Sequence, residues 1–229
     1  MNAQNEGIAI LFANRYYLYK LLHRIFGDEP NSELMEIATN QHTQEALQLL
    51  LNEDEHQFDA YFELLTQLRQ VMGDDSAGTL DKLKGEYTYL LIGPNKLPAP
   101  PWESVYITKD RTIFQESTLK VRRIYLGYNF LPANYPHEAD DHIALELDFM
   151  AHLAGLAQDC FEEEKTEEVK KLLLDQKAFL DEHLLVWIGE FAEQIKQGKT
   201  QYFYPQMAAL TEQLLKLDTA VLDEILSLM

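Results

Sequence analysis

The sequence predicts an all-α protein, a single-domain helical bundle of about ten helices over residues 1–229 with a proline-rich functional loop. Apolar residues recur at the spacing of amphipathic helices along most of the chain. No segment shows the sustained alternation of apolar and polar residues that is typical of strands. Two segments, residues 93–113 and 127–138, interrupt the helical pattern, and we predict loops there.

The N-terminal part of the chain predicts three or four helices. The first follows an apolar stripe that ends at Gly27, and Arg15 is the one polar residue on this stripe. Asn31 or Ser32 can cap the next helix, because both side chains accept hydrogen bonds from free backbone N–H groups. Residues 43–72 predict one or two further helices, interrupted near position 52.

The middle of the chain predicts two helices separated by the proline-rich loop. The sequence GDDSAG at residues 73–78 predicts a loop between helices, and the helix that follows must end at residues 93–94, Gly-Pro. Four prolines between residues 93 and 110 make a helix or a central strand improbable there. The helical pattern resumes at residues 114–126.

The C-terminal half predicts one long helix and two or three shorter ones. The long helix is expected at residues 139–161, after the second loop. Further breaks are expected near His183, Gly198 and Pro205. We find no internal repeat and no low-complexity segment, so these helices are expected to share one core.

The charge of the chain excludes several classes of partner. It carries 38 Asp and Glu against 19 Lys and Arg, a formal net charge of −19. Nucleic acids and anionic membrane surfaces are bound through clustered Lys and Arg, so neither is an expected partner. Residues 138–168 contain eleven acidic residues and one basic residue, so this segment alone carries −10. The charge therefore favours a cationic partner, steered toward this acidic segment.

The composition also predicts the compartment. Cys160 is the one cysteine, so no intramolecular disulfide is possible. The N-terminal residues lack the basic region and apolar run of a signal peptide, and no run approaches the roughly 18 apolar residues of a membrane span. We expect a soluble, cytoplasmic protein without stable membrane insertion.

Two segments have features beyond the apolar spacing that is typical of a core. The first, residues 86–106, places Trp102 and Tyr106 on a stiff proline-rich loop. Such rings either bind a partner at low entropic cost or fill the protein's own core, and the sequence leaves both interpretations open. The second segment, residues 136–152, begins a helix with Asp141, where a carboxylate also serves as a cap or favours the helix dipole.

Together the two segments resemble the paired signatures of the TorD/DmsD family, cytoplasmic chaperones of molybdenum-containing redox enzymes. The first signature, Tyr-x-x-Leu-(Leu)-x-Gly-Pro followed by Pro-Ala-Pro-Pro-Trp-Glu-Ser-Val-Tyr, is matched almost continuously. The second is an Asp-His pair, an acidic residue four positions after the His, and then Phe-Met. It is met by Asp141, His142, Glu146, Phe149 and Met150. The order and separation of the motifs extend the resemblance to the whole chain.

The resemblance implies a non-catalytic chaperone. It is expected to bind the twin-arginine signal peptide of an apo molybdopterin oxidoreductase, to assist cofactor insertion and to proofread export. The implied peptide-binding residues are Tyr87, Leu91, Gly93, Pro94, Pro101, Trp102, Glu103, Ser104, Tyr106, Asp141, His142 and Glu146. Asp141 and Glu103 are expected to bind the arginines, because a cationic pair needs carboxylates.

The same resemblance assigns the remaining roles in the groove. Trp102, Leu91 and Tyr87 are expected to meet the apolar stretch of the signal peptide. His142 is expected to orient Asp141 or the loop. Leu stands at position 91 where relatives often have Phe, which changes the expected shape of the groove.

Other functions remain as alternatives. One is an assembly chaperone for an enzyme of the nitrate reductase or formate dehydrogenase type, and a remote one is a metal-dependent hydrolase that uses the acidic helix. We expect no metal and no cofactor; guanine nucleotide has been proposed for the family, but no glycine spacing supports it. The chain is expected to be a monomer or a domain-swapped dimer.

Overall fold

The computed structural model describes residues 3–50, 58–108, 112–132, 138–200 and 202–229. Within these ranges there are eleven α-helices, and the predicted all-α bundle of about ten helices is confirmed. The helices are α1 (Ala3–Gly27), α2 (Ser32–Thr39), α3 (Gln41–Gln48), α4 (Asp59–Asp74), α5 (Ser76–Tyr87), α6 (Glu103–Ile107), α7 (Glu116–Gly127), α8 (Ile143–Glu162), α9 (Thr166–Phe179), α10 (Leu185–Lys196) and α11 (Tyr204–Leu228). Two π-helical turns, Thr88–Ile92 and Leu180–Leu184, continue α5 and α9.

The core is built around α8. Eleven of its twenty residues are buried, and it packs along α1 and against α9. Gly27 allows the close approach of α1 and α8, since a Cβ atom there would lie 3.0 Å from Ala144 Cβ. Phe149 contacts the rings of Tyr125 and Phe179 at centroid distances of 4.6 and 4.9 Å. An apolar helix of this kind must be covered on most sides, and the surrounding helices do so.

Arg15, the polar residue on the stripe of α1, is buried and paired. Its Nε donates to Asp218 Oδ1 at 2.6 Å and its Nη2 donates to Asp218 Oδ2 at 2.9 Å. Nη2 also donates to Gln176 Oε1 at 2.7 Å, and the Tyr19 hydroxyl donates to Asp218 at 2.6 Å. Burial lowers the pKa of Arg15, but the neighbouring Asp218 raises it further, so the guanidinium stays charged. The cluster joins α1, α9 and α11.

The structure has helix ends at two of the predicted places. Asn31 caps α2, because its side chain accepts a hydrogen bond from Leu34 N at 2.9 Å. The helical segment that begins with α5 ends at Gly93, whose φ of 101° is open to glycine but strained for other residues. The break expected near position 52 lies outside the described residues.

The loop predicted at residues 73–78 is wrong, because helices cover most of this segment. The helix α4 runs to Asp74 and α5 begins at Ser76, so Asp75 alone separates them. The Asp75 carboxylate accepts a hydrogen bond from Gly78 N at 3.0 Å. A single capping side chain thus replaces the expected loop, because it satisfies the N-terminus of α5 locally.

The prediction that the proline-rich segment contains no helix is also wrong. The short helix α6 begins at Glu103, immediately after the last proline of the segment, Pro101, and the following Trp102. The prolines restrict only the residues up to this point, so the chain is free to form one helical turn beyond them.

Two further boundaries differ in the C-terminal half. The helix α8 begins at Ile143 rather than near 139, because the Nδ1 of His142 caps it by accepting from Ala144 N at 3.1 Å. No break occurs at His183, which lies in the second π-helical turn. The breaks expected near Gly198 and Pro205 correspond to one interruption, between the end of α10 at Lys196 and the start of α11 at Tyr204. Pro205 itself lies in the first turn of α11.

Among the described residues, no helix combines the length and the apolar character that crossing a membrane requires.

Candidate functional site

The two signature segments meet in the folded chain. Trp102 and His142 form an isolated antiparallel bridge, in which Glu103 N donates to Asp141 O at 3.0 Å. Ile143 N donates to Pro101 O at 2.9 Å. The carboxylate of Asp141 adds a further bond, since its Oδ2 accepts from Ser104 N at 2.8 Å. The loop is thereby fixed to the start of α8 through its backbone. We call this arrangement the signature junction, residues 101–104 with 141–143.

The partly exposed side of the signature junction is formed by an indole and an imidazole. The rings of Trp102 and His142 are both half-buried and lie edge to face, with centroids 5.7 Å apart. Trp102 Nε1 donates to Glu138 Oε1 at 2.7 Å. Burial lowers the pKa of His142 to about 4, against the opposing effect of Glu138 and together with His23. His142 is therefore a neutral ring at pH 7, and its Nδ1 accepts the capping bond of α8.

Beneath the junction lie three buried carboxyl groups. Glu103, Asp141 and Glu146 are at most 1% exposed. Burial raises the pKa of Asp141, while the hydrogen bonds from Ser104 act in the opposite direction. Glu103 Oε2 contacts His183 Nδ1 at 2.9 Å. These groups are thus engaged inside the protein and do not face the solvent.

The surroundings of Glu146 favour the protonated form of its carboxyl group. Burial raises its pKa well above the ordinary value, and the neighbouring Glu103 carboxylate, to which it is hydrogen-bonded, raises it further. One oxygen, Oε2, accepts from Trp187 Nε1 at 3.2 Å. The other, Oε1, meets no N–H donor or hydroxyl among the described residues.

The raised pKa of Glu146 makes the stability depend on pH, and Glu146→Gln is expected to stabilise the protein at pH 8 but not at pH 4. In the unfolded chain Glu146 ionises near its ordinary pKa of 4.5. Because the pKa is higher in the folded state, the stabilising effect of the protonated group is present below that pH and is lost as pH rises through the higher folded pKa. Glutamine reproduces the protonated form, because it accepts from Trp187 and donates to Glu103.

Urea unfolding of both proteins between pH 4 and pH 8 measures this effect. The lowered pKa of His142 changes stability in the opposite direction, but equally in both proteins, so it cancels. The exposed Glu36→Gln serves as the matched control and is expected to leave the profile unchanged. Parallel stability curves for wild type and Glu146→Gln would show that Glu146 is ionised in the fold.

The remaining predicted site residues lie outside the junction. Tyr87 is buried and packs against Tyr204 at a centroid distance of 5.7 Å. Tyr106 is half-buried, and its ring lies 5.2 Å from that of Trp187. Of the other three, Leu91 is buried in the first π-helical turn, Gly93 is half-buried and Pro94 is exposed. The structure therefore brings seven of the twelve together: Pro101, Trp102, Glu103, Ser104, Asp141, His142 and Glu146.

Carboxylates that sequence reasoning did not assign lie around Tyr87. Burial raises the pKa of Tyr87 to about 12, and the charges of Asp28, Glu29 and Glu138 raise it as well. The side chains of Asp28 and Glu29 are 46% and 63% exposed, and each forms a surface ion pair, with Arg24 and Lys84 respectively. Asp28 and Glu29 follow α1 directly, but nothing in the sequence pattern connects that turn to the loop.

Sequence reasoning also missed two residues that contact the buried carboxyl groups beneath the junction. His183 and Trp187 hold Glu103 and Glu146, yet neither lies in a recognisable motif. Among the described residues, no group of three or more His, Cys, Asp or Glu side chains is arranged to hold a metal ion. The site is thus an aromatic surface with acidic residues beside it and below it.

Comparisons with known proteins agree on one family. Residues 54–193 match the family model described as nitrate reductase delta subunit. The chain is 35% identical over 134 residues to a Tat proofreading chaperone, DmsD, of Haemophilus influenzae, a match that covers 58% of this chain and 59% of the relative. It is 26% identical over 223 residues to the chaperone protein TorD of Aliivibrio salmonicida, covering 97% of both chains.

A solved structure shows the same fold. A redox enzyme maturation protein from Archaeoglobus fulgidus superposes with a TM-score of 0.51 at 22% sequence identity. The superposition covers 88% of this chain and 93% of that protein. At this identity the similarity concerns the helical architecture alone.

Proposed function

The chain belongs to the TorD/DmsD family of redox enzyme maturation chaperones, and on that premise we propose that it binds the twin-arginine signal peptide of a molybdopterin-containing oxidoreductase. In this role it retains the apo enzyme in the cytoplasm, assists insertion of the cofactor and delays export until the enzyme is complete. The observation that carries the proposal is the signature junction, where Trp102 and His142 are held in place and half-exposed.

The aromatic part of the junction suits the apolar stretch of a signal peptide. Trp102 has a large apolar surface whose orientation is fixed by the bond to Glu138. His142 is uncharged at neutral pH, so it accepts an apolar neighbour without leaving a charge unpaired. A rigid aromatic surface binds at a low entropic cost, since few rotamers are lost.

The arginine pair needs accessible carboxylates, and this requirement changes the roles expected from the sequence. Glu103 and Asp141 are buried and engaged with internal partners, so we assign them the positioning of the loop that carries Trp102. We assign the first contact with the arginines to Glu138, Asp28 and Glu29, which surround Tyr87. Exchange of a surface lysine or arginine for an arginine of the peptide costs little, because exposed ion pairs are weak.

Trp102→Ala is expected to weaken binding of the leader by about 2 kcal/mol or more, roughly 30-fold, because a half-buried indole at the centre of a contact is a typical hot spot. Isothermal calorimetry with a synthetic twin-arginine leader measures the change. Tyr16→Ala, at an aromatic residue of α1 that is 41% exposed, is the matched control and should leave the affinity unchanged.

Two outcomes would contradict the assignment of Trp102. Unchanged affinity in a Trp102→Ala protein with native circular dichroism would place the leader elsewhere. Unfolding of this variant would mean that the indole serves the core, and the more conservative Trp102→Phe then tests the contact, because it keeps an aromatic ring but removes the bond to Glu138.

A second candidate is favoured by the description of the family model. That model is named for the nitrate reductase delta subunit. An assembly chaperone for an enzyme of the nitrate reductase or formate dehydrogenase type would recognise a remnant leader without a complete arginine pair. Calorimetry with leaders of both kinds separates the candidates, because only the first function requires the arginine pair for binding.

A further inference from the structure

A groove lies at the opposite end of α8 from the signature junction. It is bordered by the first turns of α1, the turn between α8 and α9, and the last turn of α11, and its volume is about 1480 Å³ including open solvent. Ile8 and Val169, both buried, form its floor. Phe161, Leu228 and Met229 form its walls and are partly or fully exposed. We call this the distal groove.

The apolar surface continues around α1. A second, shallower depression shares Ile8 and Leu228 with the distal groove and reaches Leu49 on the other side of the helix. Ile10 and Leu49 are 56% and 47% exposed there, and Leu228 is 43% exposed. Large apolar side chains exposed together in this way are typical of interaction surfaces.

The rim of the distal groove is acidic. Glu162 and Glu164 line it and are exposed, and within the described residues neither forms an ion pair. The ammonium group of Lys165 lies 2.5 Å from Glu163, so its charge is already matched. Residues 159–168 contain six acidic residues and one basic residue. The apolar floor is therefore surrounded by unbalanced negative charge.

The distal groove is separate from the proposed leader site. The helix α8 has 20 residues, which at about 1.5 Å per residue span roughly 30 Å. The signature junction lies before its first residue, and the distal groove lies beside its last turn. An arginine pair bound near Glu138 thus leaves the distal groove open to another segment.

The negative charge around the distal groove disfavours two kinds of binding partner. A second copy of this chain would bring two acidic rims together, and each copy carries a net charge of −19. An anionic membrane surface is repelled for the same reason. We propose that the distal groove binds a helical segment of a partner polypeptide in which Lys or Arg side chains flank an apolar face. Apolar side chains of such a helix fill the floor, and its cationic residues meet Glu162 and Glu164.

The test uses a synthetic helical peptide of about 18 residues, with Leu on one face and Lys on both flanks, and a matched peptide with Glu in place of Lys. Fluorescence anisotropy with the full chain measures the binding. We expect the Lys peptide to bind, more weakly as salt rises, and the Glu peptide not to bind. An excess of the twin-arginine leader should not displace the Lys peptide, whether or not the leader itself binds.

Variants locate the binding. Glu162→Gln with Glu164→Gln, and separately Leu228→Ser, should each weaken the Lys peptide by about fivefold or more. The control is Glu36→Gln with Glu63→Gln, which removes two exposed carboxylates of α2 and α4 and should change the affinity less than about twofold. Equal weakening by both double variants would show general adsorption and overturn the proposal. A wild-type dimer that Leu228→Ser converts to monomer would instead make the groove an interface between copies.

Discussion

Arg15→Met is expected to lower the free energy of unfolding by about 3–5 kcal/mol, the usual cost of breaking a buried ion pair from one side. Methionine fits the space of the arginine stem but leaves the Asp218 carboxylate, which is 4% exposed, without its cation. Gln176 loses its donor as well. The three helices α1, α9 and α11 meet at this cluster, so the whole bundle is expected to respond.

Urea unfolding at pH 7 measures the loss, and a second variant identifies its cause. Arg15→Met combined with Asp218→Leu should recover most of the stability, since a buried pair replaced by apolar residues is often neutral. Lys216→Ala is the matched control, because it breaks an exposed pair with Glu212 and should cost less than about 0.5 kcal/mol. A loss below about 1 kcal/mol for Arg15→Met would mean that water reaches Asp218.

Glu86→Ala is expected to cost about 3 kcal/mol, the second largest effect. The Glu86 carboxylate is 2% exposed and accepts three backbone hydrogen bonds where α11 begins. These come from Tyr202 N at 2.8 Å, Phe203 N at 2.7 Å and Tyr204 N at 3.1 Å. Alanine leaves these N–H groups without an acceptor and removes a negative charge from a helix N-terminus, where it is favourable.

Hydrogen exchange gives a local measure of the same change. The amides of Phe203 and Tyr204 should lose protection in Glu86→Ala, and urea unfolding should show the global loss. Glu86→Gln keeps one acceptor oxygen and should cost about half as much. The exposed Glu63→Ala of α4 is the control and should change neither measure. Unchanged protection of the two amides would show that water replaces the carboxylate.

The helices could be predicted from the sequence because their apolar spacing is local information. The end of the segment at Gly93 and the cap at Asn31 follow from single residues in the same way. Arg15 looked like an interruption of its apolar stripe, because its partner Asp218 lies 203 residues away. The single-residue link at Asp75 depends on a capping side chain, and in the short helix α6 Ser104 N donates to the distant Asp141, neither of which composition reveals.

The candidate site could be predicted only in part. The resemblance correctly placed the chain in its family, and the structure brings the loop and the Asp-His pair together. It could not distinguish buried carboxylates from accessible ones, because burial of Glu103 and Asp141 depends on α8, α10 and the second π-helical turn packing beneath them. Glu138 lay within the quoted segment, but its bond to Trp102 is a tertiary contact.

In the proposed function, the arginine pair of a leader is bound by Glu138, Asp28 and Glu29, the acidic residues around Tyr87. Calorimetry of the wild type and of Glu138→Gln, each with a twin-arginine leader and with the same leader carrying Gln-Gln, tests it directly. We expect the wild type to prefer the arginine leader by about 30-fold or more, and Glu138→Gln to reduce this preference by a coupling energy of about 1 kcal/mol. Equal affinity of the wild type for both leaders would contradict it.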